Sequence, residues 1–467
     1  MMDSSSTFPA PGIAINRPRV EIGDLAALGA AGALHASAVW ARSAGWLPRS
    51  DLVLGGLDAL LPGVLLAVAA LVLVTGRREL AVVAGICVLP FALRPGALAL
   101  LLLATGGVWT VSRLPWRVLP RLALSAAILV ALVGVRSGWA GARLAAALQL
   151  TIGVELFLWA LLFFRSWLFQ MERDALEPRL RSYPAFLGSV GLFALGGASN
   201  APPIPYSTLY AARRPQEGVS LPWRAVGLLA LALAYQAAMK QVSPGIQEPF
   251  HALRTGAARG GLQAQLATYT VGRVWLALAM YWPLKYLVIA SRLFFLIANL
   301  RLLGFDLPSG FRQPFLARNF IDLWRRWNHY VRDAAMVLFY FPCLGALRRR
   351  LPPSLAQPAA VLASFAGLVA VDTLARPAFE LPIVLNRGPM LVQAARLAVI
   401  GILTAATAWW ATRAPRRRPA VGGWMRLGMT STTVMVAAAI STFAGVLATG
   451  LSGAQLADLA SFLLGIS

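Results

Sequence analysis

The sequence predicts an all-α, polytopic transmembrane helical bundle, and its composition and its long apolar runs support that prediction. Of 467 residues, 58% are hydrophobic and only 13% are charged, whereas soluble domains are about one quarter charged. Apolar runs of roughly 20 residues, the length that crosses a bilayer as a helix, recur along the chain, and we expect about eleven spans. Both cysteines, Cys87 and Cys343, lie in apolar stretches and only 3 histidines are present, so we expect neither a disulfide framework nor a structural zinc or other metal site.

The basic residues orient these spans in the membrane. Lysine and arginine total 42 against 18 acidic residues, a formal net charge of +24. The clusters Arg348–Arg350 and Arg413–Arg418 are separated by two predicted spans, so both lie on one side, which is cytoplasmic by the positive-inside rule. We therefore expect a multi-pass protein of the inner (cytoplasmic) membrane that contacts membrane lipids. Outside one segment the sequence lacks a basic stripe with interleaved aromatic residues, so we expect no nucleic-acid partner.

The N-terminal part is predicted to be a short cytoplasmic tail, residues 1–23, followed by transmembrane helices over residues 24–182. Arg94 and Pro95 interrupt one apolar run, because proline removes a backbone hydrogen bond and arginine is costly at the membrane midplane. Two short half-helices and one kinked span both fit this interruption. The apolar runs here are Leu25–Trp46, Leu52–Thr75, Leu80–Leu93 with Gly96–Val111, Leu122–Val135 and Leu144–Phe164.

Residues 183–350 are predicted to form a core with re-entrant and amphipathic segments, and residues 351–467 the C-terminal transmembrane helices. Ala185–Ser199 is too short to span and leads into the proline-rich piece Asn200–Pro205. Irregular backbone is tolerated at membrane depth only where protein or water covers it, so this piece should lie against the bundle interior. The remaining runs are Ala225–Met239, Leu266–Pro283, Leu284–Leu303, Ala334–Leu347, Leu355–Ala375, Met390–Ala411 and Met425–Leu451.

The segment Ala317–Val331 has the periodicity of an amphipathic helix. At about 100° per residue its residues fall on two opposite faces. Tryptophan favours the headgroup level and basic residues meet phosphates, so we expect a helix in the cytoplasmic interface with its tryptophans toward the bilayer or the bundle. A simple membrane anchor is the alternative. The apolar face carries Phe320, Leu323, Trp324, Trp327 and Val331, and the polar face Arg325, Arg326, His329, Arg332 and Asp333.

The run from Arg301 to Trp327, RLLGFDLPSGFRQPFLARNFIDLWRRW, resembles the membrane-bound O-acyltransferases, whose bacterial members carry a similar run ending in WRRW. Weaker likeness extends back to Asn200–Tyr206 and forward to about Leu347. The resemblance implies a helical bundle enclosing a tunnel, with no bound cofactor. It also implies an acyl thioester co-substrate, acyl-CoA or an acyl carrier protein, and transfer to a hydroxyl of a lipid or glycan. An acyl carrier protein or an acceptor-handling protein is then an expected partner.

Two departures from the family pattern bear on catalysis. Asn328 and then His329 follow Trp327 where the bacterial members have a histidine, and the later run Phe365–Asp372 lacks the family's general-base histidine. Asn328 and His329 are the candidate catalytic residues, and we expect Asn328 to be the inward one. The alternative is a catalytically degenerate relative that binds a lipid or a partner. Candidates for substrate binding are Trp324, Arg325, Arg326, Trp327, Lys285, Arg292 and Asp372.

Ionisable residues within spans are costly unless they are paired or face a cavity. Lys285, Arg292 and Asn299 are spaced by seven, so we expect one inward-facing stripe. The stripe could hold the phosphates of an acyl carrier or pair with Glu155 or Asp58, and it is also the basis of a third hypothesis, secondary transport. Asp372 is either a replacement base or a carboxylate paired with Arg376 or Arg396. Of the other histidines, His35 should be packed or at the lipid edge and His251 solvated in a polar loop.

Overall fold

The computed structural model of this chain describes nine stretches of residues and a few isolated positions between 433 and 461. The stretches are 21–47, 60–92, 95–136, 165–176, 181–196, 204–210, 220–259, 268–380 and 387–413. Over these ranges the chain is helical and has no strand, so the all-α prediction is confirmed. Residues 1–20 of the predicted tail 1–23, the run Leu144–Phe164 and most residues after 413 lie outside the described residues.

The helices vary from one turn to more than ten. A helical stretch also covers residues 165–172, and a π-helical turn, Met336–Tyr340, joins α11 to α12. In chain order the helices are α1 (Ile22–Ser43), α2 (Leu61–Thr75), α3 (Glu79–Ala92), α4 (Pro95–Arg113), α5 (Val118–Arg136), α6 (Tyr183–Leu195), α7 (Tyr206–Tyr210), α8 (Leu221–Arg259), α9 (Val271–Leu302), α10 (Phe320–Arg326), α11 (His329–Ala335), α12 (Phe341–Leu347), α13 (Pro353–Glu380) and α14 (Arg387–Arg413).

Several of the described helices are long and apolar enough to cross a membrane. The five candidates are Ile22–Ser43, Leu221–Gly245, Val271–Leu302, His329–Leu347 and Pro353–Ala370. Shorter apolar helices, such as α2 and α6, accompany them. Length and composition thus support a polytopic helical membrane protein.

Two boundaries differ from or refine the sequence prediction. Leu266–Pro283 and Leu284–Leu303 were expected as separate spans, but α9 continues through Pro283. That prediction was wrong because a proline in an apolar helix can bend it without ending it, and α8 packs along α9 to support it. At the Arg94-Pro95 interruption, α3 ends at Ala92 and α4 begins at Pro95, and residues 93 and 94 lie outside the described residues.

α6 crosses α3 at backbone contact, and it lies in the main hydrophobic core. A Cβ atom placed on Gly191 would lie 2.3 Å from the carbonyl oxygen of Gly85, and one on Gly85 would lie 2.7 Å from the nitrogen of Leu192. Small residues permit this approach, as they do between membrane helices generally. Phe186 and Phe193 of α6 are fully buried in a core that runs from α1 to α11. This core spans the predicted boundary at 182/183.

The predicted continuous helix Ala317–Val331 is wrong, because it breaks at Trp327 and Asn328. α10 ends at Arg326, Trp327 is extended, and Asn328 is the N-cap of α11. The Asn328 side chain accepts a hydrogen bond from the backbone N–H of Val331 at 3.5 Å. Asparagine side chains compete with the helix for backbone groups in this way, so the segment restarts as a second helix in a new direction.

Candidate functional site

A cavity of about 630 Å³ lies between α7, α10, α11, α13 and α14. Pockets of this size suit small ligands or a single lipid chain. Pro205, at the end of the proline-rich segment, and Trp324 and Arg325, of the arginine–tryptophan segment, both contribute to its wall although they are far apart in sequence. The lining residues include Pro205, Ser207, Thr208, Ile321, Trp324, Arg325, Arg332, Asp333, Met336, Val337, Tyr340, Gln357, Val361, Ser364, Phe365, Thr404 and Ala408.

The two tryptophans of the motif face the bundle on different sides. Trp324 lines the cavity, and its ring lies 4.6 Å from that of Phe365 on α13. Trp327 packs on Phe311 at 5.5 Å and on Tyr286 at 6.1 Å. Both indoles are partly buried, as expected for an apolar face. Of the two, only Trp324 is among the residues that line the cavity.

The arginines of the motif also divide into two groups. Arg325 is exposed and lines the cavity. Arg326 is not among the lining residues; its Nε donates to Asp322 at 3.0 Å and its Nη1 to the carbonyl of Arg312 at 3.3 Å. These bonds tie α10 to the preceding loop. The predicted substrate-binding role therefore fits Arg325 better than Arg326.

A second cation stands beside Arg325 in the cavity wall. Arg332 donates through Nη1 to the Arg325 carbonyl at 3.2 Å and through Nε to Asp333 at 2.8 Å. Its side chain is 25% exposed and that of Asp333 29%. Two guanidinium groups with one carboxylate give this part of the wall a positive balance. An anionic headgroup beside an apolar chain would be attracted to it.

His329 lies behind the cavity and does not line it. It is 3% exposed, and its backbone nitrogen and Nδ1 approach the Gly310 carbonyl at 3.0 and 3.2 Å. Its Nε2 is buried and has no hydrogen-bond partner among the described residues. Glycine at 310 is required by packing, since a Cβ there would lie 1.8 Å from Cδ2 of Leu293.

The prediction that Asn328 is the inward member of the pair is wrong. Asn328 is half-buried, whereas His329 is buried. The prediction assumed one continuous helix in which the two side chains diverge by about 100°. Because Asn328 caps α11, its side chain turns back to the backbone, and the new helix direction carries His329 into the protein.

The predicted polar stripe on α9 holds at one end only. Asn299 is buried, lies 3.1 Å from Nε2 of His35, and donates to the carbonyl of Gly196 at 2.9 Å. Arg292 is exposed, so its inward placement was wrong. Residues 296–300 are all buried, whereas around position 292 the bundle covers only one side of α9. The side chain of Lys285 lies outside the described residues.

The other predicted ionisable residues have mixed outcomes. His35 is buried, and its ring centre lies 5.5 Å from that of Phe295 in an edge-on contact, so the interpretation as a packed residue is confirmed. His251 lies within α8 and not in a loop, because the helix continues past Pro249. The side chain of Asp372 lies outside the described residues, as do Asp58 and Glu155.

Sequence reasoning missed a polar cluster behind α7. Arg165 is fully buried, and its guanidinium carbon lies 4.3 Å from the ring centre of Tyr206 and 4.8 Å from that of Phe193. Its Nη1 donates to the carbonyl of Ile204 at 3.4 Å. Glu172 accepts two hydrogen bonds from Ser207. The only signal in the sequence was ionisable residues directly after an apolar run, with no motif linking positions 172 and 207.

Comparison with models of known protein families gives no match, and comparison with curated proteins gives none either. Within the described residues, no group of three or more His, Cys, Asp or Glu side chains could hold a metal ion. The geometry of the cavity is therefore the basis for assigning a function.

Proposed function

We propose that this protein is an integral membrane O-acyltransferase. The cavity would hold the acyl chain of a thioester donor, acyl-CoA or an acyl carrier protein, while the acyl group passes to a hydroxyl of a lipid or glycan. The proposal includes about eleven spans in the inner membrane and a re-entrant Asn200–Pro205 segment. The supporting observation is that Pro205, from the proline-rich piece, and Ile321, Trp324 and Arg325, from the Arg301–Trp327 run, line a single cavity.

The chemistry of the cavity wall suits an acyl thioester. Apolar side chains, among them Met336, Val361 and Phe365, offer an environment for a hydrocarbon chain, which gains about 0.8 kcal/mol for each methylene removed from water. Arg325 and Arg332 lie in the same wall and suit the phosphates that acyl thioester carriers bear. The apolar region and the cations thus match the two ends of one amphiphilic donor.

A second candidate is a protein that binds an acylated lipid without chemistry. One observation favours it: among the described residues that line the cavity there is no histidine. His329 hydrogen-bonds the Gly310 carbonyl instead. In this form the cavity would retain its ligand and release it unchanged to a partner or to the bilayer.

The test uses the full chain in lipid nanodiscs with radiolabelled octanoyl-CoA. We would measure retained label, CoA thiol release and label incorporated into lipids and glycans of added bacterial membranes, for wild type, His329→Ala, Asn328→Ala and Asp372→Asn. Label transfer with release of CoA thiol supports the enzyme, and loss of transfer in one of the three variants identifies the substituted residue as required. Saturable binding without thiol release supports the second candidate. Neither binding nor release would contradict both.

A further inference from the structure

Ser207 and Glu172 form a hydrogen-bonded pair at the cavity wall. Ser207 is exposed and lines the cavity, while Glu172 is 9% exposed and lies behind it. The Ser207 hydroxyl donates to Oε1 of Glu172 at 2.6 Å, and the Ser207 backbone N–H donates to Oε2 at 3.1 Å. A single residue therefore fixes both oxygens of the carboxylate.

This geometry prepares the hydroxyl as a nucleophile. With its proton directed at Glu172, the Ser207 oxygen keeps its lone pairs for an electrophile in the cavity. A separation of 2.6 Å lies within the range that links a nucleophile to its base. It is also typical of a strong, charge-assisted O–H···O⁻ bond. In the described part of the chain no lysine or arginine forms an ion pair with Glu172.

Aromatic packing holds the pair in place. Tyr206, the residue before Ser207, is buried and lies 5.3 Å from the ring of Phe169. Phe169 lies three residues before Glu172 in the same helical stretch. Contact between these two rings therefore sets the helix that carries Glu172 against the start of α7. Catalytic groups need such support from packed neighbours to keep a productive geometry.

We infer that Ser207 takes up the acyl group covalently and that Glu172 is its general base. This inference rests on the proposed function and identifies its substrate as an activated acyl ester, the thioester donor. The Ser207 oxygen bonds to the acyl carbon while its proton passes to Glu172. The carbon–sulfur bond breaks, and the thiolate takes the proton from Glu172. An acceptor hydroxyl then attacks the acyl-serine, gives its proton to Glu172, and Ser207 recovers that proton as the product ester leaves.

A purely structural role for this pair would be capping of the short α7. Capping needs only the bond from the Ser207 backbone N–H to Glu172, which every residue except proline would provide at position 207. The hydroxyl bond is additional, and it is made by the side chain of a residue that lines the cavity. Removal of the hydroxyl alone should therefore leave the capping bond intact but abolish acylation.

The test is peptide mass spectrometry of the full chain in nanodiscs after brief incubation with octanoyl-CoA and an acid quench. We expect one octanoyl group on the peptide that contains Ser207, and none in Ser207→Ala. Glu172→Gln should slow acylation by about 10²-fold or more, the usual contribution of a general base. Ser207→Cys should trap a thioester that neutral hydroxylamine cleaves, a signature that capping does not produce.

Two hydroxyl residues outside the cavity wall provide matched controls. Thr407→Val and Ser291→Ala each remove a hydroxyl that donates to its own helix, at the Leu403 and Val288 carbonyls, and neither residue lines the cavity. Both should be acylated at Ser207 like wild type. Octanoyl-CoA binding reports whether each variant is folded. The inference is overturned if Ser207→Ala transfers label as fast as the wild type. It is also overturned if the wild type binds octanoyl-CoA and Ser207 is not acylated. If the wild type neither binds octanoyl-CoA nor releases CoA, the proposed function fails as well.

Discussion

Replacing Ala408 by tryptophan should shorten the acyl chain that the cavity accepts. Ala408 is 8% exposed and lines the cavity from α14. An indole at this position would occupy the room of about four methylene groups, which are worth about 0.8 kcal/mol each when buried. The loss of about 3 kcal/mol corresponds to roughly 100-fold weaker binding of a long chain. Acetyl-CoA, which has almost no chain, should bind as it does to wild type.

The matched control is Ala406→Trp, because Ala406 lies on the same helix but is exposed. Equilibrium binding of acetyl-, octanoyl- and dodecanoyl-CoA to each variant in nanodiscs gives the affinity as a function of chain length. Only Ala408→Trp should lose the gain in affinity from octanoyl to dodecanoyl. Equal chain-length profiles for both variants would show that the acyl chain does not occupy this cavity. A loss of acetyl-CoA binding would show instead that the substitution damages the fold.

Three further predictions concern packing and capping, and each is read from the fraction of monodisperse protein after heating in detergent. Asn299→Ala should destabilise by about 1–3 kcal/mol, because it leaves the buried His35 without its hydrogen-bond partner; unchanged stability would contradict that pairing. Gly191→Ala should lower the melting temperature strongly, whereas Gly227→Ala, where nothing lies within 4 Å, should not; equal effects would refute the close crossing of α3 and α6. Asn328→Ala should cost about 1 kcal/mol, and Asn328→Ser should restore most of it, as expected for an N-cap; equal losses would remove the capping role.

The sequence was sufficient for the class of fold. Long uncharged runs predict membrane helices because an unpaired backbone group in hydrocarbon is so costly that few alternatives exist. Helical periodicity likewise placed Trp324 on the face that packs against the bundle. The contact between Trp324 and Phe365 confirms this placement. These features are local, since they depend on residues within a few turns of one another.

The site was less predictable because it depends on how separate helices meet. Periodicity alone extended one helix through Asn328, and it therefore assigned Asn328 and His329 to the wrong directions. The stripe on α9 failed at Arg292 because burial depends on neighbouring helices that the stripe itself does not specify. In both cases the sequence pattern is present, but packing against other segments decides which side chains are buried.

The pairing of Glu172 with Ser207 depends entirely on the tertiary structure. The two residues share no motif and no helix, and their hydrogen bonds form because Phe169 and Tyr206 pack together. Short-range preferences specify helices, since each hydrogen bond there joins residues four apart. A cavity wall is specified by contacts between segments that are distant in sequence. These contacts form only when the helices assemble, so no local sequence pattern encodes them. The amino-acid sequence thus identifies a helical membrane protein with an arginine–tryptophan segment, and the fold alone brings that segment and the Ser207–Glu172 pair to the same cavity.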